Sequence, residues 1–490
     1  MSEQQTLGFR LLRKKPVEKL ISETQGGDSE HGHLGRSITL FQLIMFGVGA
    51  TIGTGIFFVL SETVPTAGPS VIVSFLMAGV VAGLTALCYA EMASMIPVSG
   101  SSYSYAYATL GEAIAYFVGA CLVLEYGISA SAVAIGWSGY LNKLFEIVFG
   151  SGLPAALSSA PLISENHRLA VGGDGYINLP AAILVFLCCL MLIRGTKESA
   201  KANAIMVLIK IGVLILFIAI AVTGFSASNF QPFAPAGFAG ISAAAGTIFF
   251  TYVGLDAVST AGEEVENPKR NLPLAIIAAL IIVTSLYVLT AVTALGVQPA
   301  AAFEGQEAGL ATILQNITGS NWPALILAIG AVISVFSVTL VVLYGQTRIL
   351  FAMSRDGLIP ELFHRVNPRT LSPVANTIAV ALFVGAIAAF IPNDILWDLT
   401  SLGTLTAFIV VSAGVMILRH TKPDMPRGFR VPLYPVLPIL SILSSLYLIS
   451  SLKVQVYELF GVWLFLAAIF YFLYSIKKSR LEPKARITKS

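Results

Sequence analysis

The sequence is poor in charge: Asp, Glu, Lys and Arg make up only 11% of its 490 residues, against about 25% in an ordinary soluble domain. So few charges cannot build a water-soluble surface on a chain this long. Histidine is scarce too. His31, His33, His167, His364 and His420 all fall in tails, loops or helix ends, which argues against a histidine proton relay. The four cysteines, Cys88, Cys121, Cys188 and Cys189, all sit in apolar runs. There they read as small buried hydrophobes and not as a disulfide or zinc framework. No cluster of His or acidic residues lies at membrane depth to hold a metal, and no P-loop motif is present. An enzyme, a metal or cofactor site and an ATP-driven pump are therefore not expected. The net charge of +3 gives no reason to expect a nucleic-acid partner. The first 37 residues are polar and charged, so no signal peptide is expected.

What the chain has is apolar length. It is 56% hydrophobic, with a mean hydropathy of +0.83. Twelve apolar segments fall near 38–62, 69–96, 112–149, 178–194, 202–224, 239–262, 272–297, 322–353, 374–391, 395–419, 432–452 and 456–476. Several reach the roughly 20 residues needed to cross a bilayer. Spanning segments must satisfy every backbone polar group internally, so these runs predict helices and an all-α polytopic membrane protein. The third is long for one span and must tilt or project. With the amino terminus in the cytoplasm, 25 of the 29 Lys and Arg residues fall on the inner side. Twelve transmembrane helices with both termini cytoplasmic fit the positive-inside rule. The expected organisation is a tail over 1–37, a transmembrane domain over 38–476 and a tail over 477–490, in lipid of the plasma membrane.

Two segments do not read as plain helices. The first contains Gly47, Gly49, Gly53 and Gly55 within nine residues, each costing a helix about 1 kcal/mol relative to Ala. The sixth runs Gly246-Thr247-Ile248-Phe249-Phe250-Thr251-Tyr252-Val253-Gly254-Leu255-Asp256. Close helix packing explains either run alone. Taken together, they fall in segments one and six, which correspond if segments 1–5 and 6–10 are two repeats, and an odd number of spans per repeat inverts the second copy. Interrupted helices at matching places are a pointer to a transporter's central site. Exposed N–H groups at a half-helix start suit an anion, and exposed carbonyls at a half-helix end suit a cation. The carboxylate and ammonium of a free amino acid match such a pair. Sodium or a nucleobase could use the same groups.

Three ionisable residues lie well within spans: Glu125, Lys210 and Asp256. Such residues are functional candidates, with helix-packing hydrogen bonds as the alternative for the two acids. Lys210 could snorkel to the surface, but Lys201 already marks the interface about 13 Å away along a helix, so snorkelling is strained. If buried and charged, Lys210 is expected to bind carbonyls at the first helix's break, and loss of its proton would release that brace. Either acid could pair with Lys210, with the other acid, or with polar backbone.

Gly53-Thr54-Gly55, Phe250-Thr251-Tyr252-Val253-Gly254 and the run Glu263-Glu264-Val265-Glu266-Asn267-Pro268-Lys269-Arg270-Asn271-Leu272-Pro273 resemble the amino acid–polyamine–organocation permeases. Tyr344-Gly345-Gln346-Thr347-Arg348 and Ser354-Arg355-Asp356-Gly357-Leu358-Ile359-Pro360 are similar to the cationic amino acid transporter branch, in particular its bacterial members. The resemblance implies a LeuT-type 5+5 inverted repeat, about 38–224 and 239–419, plus two C-terminal helices over 432–476. It implies that amides at Thr54 and Gly55 hold the substrate carboxylate. Carbonyls of Thr51, Phe250, Thr251 and Val253 would hold the ammonium, and the Phe250 ring would act as a gate. Lys210 takes the place where proton-coupled relatives put a lysine in lieu of sodium. Glu125 and Asp256 match acids near the side-chain end of the pocket.

The expected function is import of L-amino acids by proton symport with alternating access. The substrates expected are small or medium neutral ones, because Val341, Val342 and Leu343 should shorten the pocket. Glu125 and Asp256 argue for the alternative, a cationic amino acid transporter; an amino-acid exchanger is a further possibility. A channel would need a continuous polar path, and only isolated intramembrane charges are visible.

Overall fold

The computed structural model describes residues 7–24, 36–53, 55–165, 168–173, 175–304, 309–391, 393–450 and 454–481. Helices cover all twelve apolar segments, and the chain is an all-α multi-pass membrane protein. Seven helices are long and apolar enough to cross a membrane, and five shorter apolar helices accompany them among the described residues. The first span is split into Leu40–Thr51 and Gly55–Ala67. The sixth is helical over Gly237–Phe249, then tightens into a 3-10 turn at Phe250–Tyr252 and resumes briefly at Ala257–Thr260.

Local chemistry sets the ends. Thr39 and Gln42 close a reciprocal capping box at the start of Leu40–Thr51. Asn178 caps Leu179–Arg194 through the Ala181 N–H. Gly195, at φ +128°, turns the chain directly from the fourth span into the fifth, Thr196–Ala221. The third span, Glu112–Phe149, is a single helix of 38 residues. It is about 57 Å long at 1.5 Å per residue, so it projects well past the roughly 30 Å hydrocarbon core.

The spans sort into two groups. The first, second, sixth and seventh pack on one another, and so do the third, fourth, eighth and ninth. The fifth touches both the first and the eighth, and the tenth touches both the second and the third. Each of the first four spans thus shares its group with the span five places later.

The loops hold structure that apolar patterning does not reveal. A small antiparallel hairpin, β1 Leu162–Glu165 and β2 Arg168–Val171, pairs Leu162 with Val171 between the third and fourth spans. Short helices occupy Ser101–Thr109 and Gly309–Thr318. The amino-terminal tail forms helices Leu7–Leu12 and Val17–Thr24, and it meets the carboxy-terminal tail at one end of the bundle.

Candidate functional site

The two broken spans meet at their breaks. A Cβ built on Gly55 would stand 2.8 Å from the Thr251 methyl, and one on Gly254 would stand 2.8 Å from the Ala50 carbonyl oxygen. Gly254 also sits at φ +108°, a conformation that only glycine adopts without strain. Glycine at both positions is therefore what lets one backbone lie against the other. Tyr287 of the seventh span ties them together: its hydroxyl hydrogen-bonds the Thr51 carbonyl at 2.9 Å and the Thr251 carbonyl at 3.1 Å.

Helix Gly55–Ala67 begins immediately beyond the first break, and its opening N–H groups have no carbonyl behind them within the helix. With the helix dipole they form an electropositive end suited to an anion. Thr54 lies outside the described residues, as does the Phe250 side chain. Thr51 and Thr251 turn their hydroxyls back onto the Gly47 and Ile248 carbonyls, at 2.8 and 2.7 Å. Each of their own carbonyls accepts a Tyr287 bond and has a second lone pair. Val253 lies in the turn between the 3-10 segment and Gly254.

Lys210 is wholly buried, at 0% exposure, so it does not snorkel. Its ammonium donates to the Ile52 carbonyl at 2.7 Å, the Gly49 carbonyl at 3.2 Å and the Ser334 carbonyl at 3.3 Å. Ser334 adds a hydroxyl bond to the Ile52 carbonyl at 3.1 Å. The lysine thus fills the break and links the fifth and eighth spans to the first. Asn203, two turns away on the fifth span, makes a second link through the Met45 carbonyl at 3.2 Å and the Ser337 hydroxyl at 2.9 Å.

Neither acid pairs with Lys210. Glu125 accepts a short hydrogen bond from Thr404 of the tenth span. Asp256 accepts one from Tyr126 at 2.6 Å. Consecutive residues of the third span therefore carry one carboxyl and bind the other. Glu125 Oε2 and Asp256 Oδ1 are buried with no hydrogen-bond partner among the described residues. Val341, Val342 and Leu343 are buried. The eighth-span side chain that presses on the first break is Val338, 3.2 Å from where a Gly53 Cβ would stand.

Tyr287, Ser334, Tyr126, Thr404 and Asn203 do not stand out in the sequence. A lone hydroxyl or amide in an apolar run is common in membrane helices, where it bonds the neighbouring helix. Only Tyr126, next to Glu125, carries a local signal.

The amino acid permease family model matches residues 38–475. The chain is 43% identical to a branched-chain amino acid permease of Bacillus subtilis over 472 residues, 96% of this chain and 99% of that protein. It is 41% identical to a methylthioribose transporter of the same organism over 474 residues, again 96% and 99%. A vacuolar cationic amino acid transporter of Arabidopsis thaliana is 37% identical over 428 residues, 84% of this chain and 64% of that protein.

Proposed function

Because the chain belongs to the amino acid permease family, we propose that it is a secondary active transporter importing small or medium neutral L-amino acids by proton symport. The observation that carries this reading is the contact between the two helix breaks, Gly55 against Thr251 and Gly254 against Ala50. It sets a half-helix start beside carbonyls of the other break at membrane depth. The substrate carboxylate takes the amides at Thr54 and Gly55. The ammonium takes the carbonyls of Thr51, Phe250, Thr251 and Val253, displacing or sharing the Tyr287 hydroxyl at two of them. The Phe250 ring closes over the substrate, and Glu125 and Asp256 stand at its side-chain end. Lys210 gives up and regains a proton in each cycle. Charged, it braces the first span against the fifth and eighth. Neutral, it lets the two groups of spans move. The transport unit is 38–476 in the plasma membrane, with both tails cytoplasmic.

The name of the Bacillus branched-chain permease supports a neutral substrate. The unpartnered oxygens of Glu125 and Asp256 favour a second reading, a carrier or exchanger of cationic amino acids. Proteoliposome uptake decides. Valine, leucine, isoleucine, alanine, serine and threonine should compete for uptake better than arginine or lysine, and an alkaline interior should raise accumulation. Preference for arginine would make Glu125 and Asp256 the side-chain counter-ions. Preference for methylthioribose, which has no amino acid head, would remove the head-group assignment. Single cysteines at Ser2 and Ser490 should resist an impermeant thiol reagent in intact cells. Their labelling would reverse the topology.

A further inference from the structure

The first, fifth and eighth spans carry polar groups on matching faces. On the fifth, Asn203 and Lys210 are seven residues apart, which returns them to the same side of the helix, about 10 Å apart along it. On the first span, Asn203 binds the Met45 carbonyl, and Lys210 binds those of Gly49 and Ile52, four and seven residues further on. On the eighth, Ser334 stands at the Lys210 level and Ser337, one turn on, at the Asn203 level. Two rungs therefore cross the same three spans. The Asn203 rung lies nearer the tail-bearing end, because Met45 precedes Gly49 on a helix that starts there, at Leu40.

The geometry of the Asn203 rung is closely fitted. The side chain is wholly buried. Its Nδ2 donates to the Met45 carbonyl at 3.2 Å, and its Oδ1 accepts from the Ser337 hydroxyl at 2.9 Å. A carbonyl can only accept, so the amide turns its nitrogen to the first span and its oxygen to the eighth. A Cβ on Gly49 would stand 2.8 Å from Asn203 Oδ1 and 3.0 Å from a Val207 methyl, so glycine there is what lets the amide lie on the first span's backbone. The first span belongs to one group of spans and the eighth to the other. The rung thus ties the two groups together, as Lys210 does, but through an amide that does not titrate.

We propose that Asn203, oriented by Ser337, is a positioning residue for Lys210: an uncharged crossbar that holds the first span to the fifth and eighth at every pH, and so sets the pH at which loss of the Lys210 proton frees that span. This rests on the coupled reading of Lys210 above and adds the part of the brace that does not titrate. Charged Lys210 favours the closed arrangement, so that arrangement binds the proton more tightly and a rise in pH opens it. Asn203 weights the same equilibrium by a constant factor. Without that factor, opening reaches its midpoint at lower pH, by about one unit for each tenfold, since one proton is involved. The groups facing the Lys210 ammonium are the Gly49 and Ile52 carbonyls of the first span and the Ser334 carbonyl of the eighth. Titratable side chains on the spans packed against the fifth are engaged elsewhere. Tyr287 of the seventh bonds the Thr51 and Thr251 carbonyls, Cys188 of the fourth bonds the Phe336 carbonyl at 3.8 Å, and Tyr344 and Arg348 of the eighth bond Glu264.

The test reads whether the first span has left the fifth. Val207, between Asn203 and Lys210, is wholly buried and lies against Gly49. A Val207→Cys thiol, in the full-length protein in proteoliposomes, should therefore react with N-ethylmaleimide only when the first span moves away. The four native cysteines are buried, and their labelling in the chain without the reporter is subtracted. Rates are compared between variants at the same pH, which cancels the titration of the thiol itself. In Asn203→Ala, labelling at pH 6 should be about tenfold faster, the size of one or two lost hydrogen bonds, and its half-maximal pH should fall by about one unit. Ser337→Ala should act in the same direction, and Asn203→Ala/Ser337→Ala should match Asn203→Ala alone, because one rung is lost in each. Adding Asn203→Ala to Lys210→Ala should speed labelling by a similar factor at every pH. If Lys210→Ala labels faster than the reporter protein at pH 6, while Asn203→Ala and Ser337→Ala label at its rate, the crossbar is overturned and the coupled reading stands. If Lys210→Ala labels at the rate of the reporter protein at every pH, the coupled reading fails and the crossbar's part in it falls too.

Discussion

Arg13 of the amino-terminal tail and Glu112, the first residue of the third-span helix, form a bidentate ion pair inside the protein. Nε lies 2.8 Å from Oε2 and Nη2 lies 2.7 Å from Oε1, with the side chains 5% and 0% exposed. Glu112 also accepts hydrogen bonds from the Tyr107, Tyr471 and Ser479 hydroxyls, so both tails converge on one carboxylate. Two residues on, Lys15 pairs with Asp356, which also accepts the Tyr103 hydroxyl at 2.6 Å. A Cβ on Gly111 would stand 3.0 Å from the Leu12 backbone, so the tail lies directly on the start of the third span.

Removing one partner of a buried pair strands the other, at a cost of about 3–5 kcal/mol. Arg13→Met and Glu112→Leu should each lower the midpoint of thermal inactivation of the detergent-solubilised protein by several degrees. The double variant Arg13→Met/Glu112→Leu should lose less than the sum of the singles, because no charge is left uncompensated. Strict additivity in that cycle would mean that the pair adds no coupling.

The contact between the two breaks predicts a positional asymmetry. Gly254→Ala introduces a Cβ 2.8 Å from the Ala50 oxygen at a φ of +108°. A strained backbone conformation of this kind costs roughly 1–3 kcal/mol before the clash is added. Gly55→Leu drives a larger side chain toward Thr251 and the expected carboxylate position. Both should abolish uptake. Gly246→Ala, with nothing nearer than 4.0 Å to its new carbon, should transport normally. Normal uptake by a folded Gly55→Leu protein would remove the head-group site from this place.

Lys210 offers a cleaner separation of binding from coupling. Its three acceptors are all backbone carbonyls, so Lys210→Ala removes a brace without leaving an unpaired carboxylate. Gradient-driven accumulation should be lost, while substrate binding, read by scintillation proximity, should survive in one conformation. A Lys210→Ala protein that still accumulates substrate against a pH gradient would exclude this residue as the coupling group.

Much of this was legible in the sequence, for identifiable reasons. Glycines and a carboxylate at membrane depth are costly, so the breaks near Gly53 and Gly254 announce themselves. Lys210 does the same, because a lysine nine residues from the last interfacial one has nowhere to go but inward. Its acceptors were partly legible: freed carbonyls at the first break were expected, whereas the Ser334 carbonyl of the eighth span was not. The pairings of Glu125 with Thr404 and of Asp256 with Tyr126 were invisible, because they depend on the rotation of the third and tenth helices about their own axes. Spacing along one chain does not report that rotation. The burial of Arg13 and Lys15 was hidden for a different reason. In a polar tail they read as topology signals at the membrane surface, and only the folded tail brings them to Glu112 and Asp356.

Glu263 and Arg355 supply a prediction whose sign depends on the partner. Glu263 lies just past the sixth span. Burial works against its charge, but the attraction and two hydrogen bonds of Arg355, with the Ser99 N–H, outweigh that and hold its carboxyl below the ordinary 4.5. A carboxyl whose folded value is depressed contributes stability above its unfolded value, and loses it as pH falls through the folded one. In the wild type this contribution should therefore be constant from pH 7 to about 5 and disappear only below about 4.5. Arg355→Ala leaves burial as the dominant influence and reverses the sign. The variant should be destabilised at pH 7 and should recover part of the difference from wild type as the pH is lowered toward 5, where the stranded carboxyl can take a proton. Thermal inactivation of both proteins between pH 5 and 8 tests this, with Arg355→Ala/Glu263→Gln as the control that removes the titrating group. A difference between wild type and Arg355→Ala that stays flat across that range would show that Glu263 remains charged without its arginine.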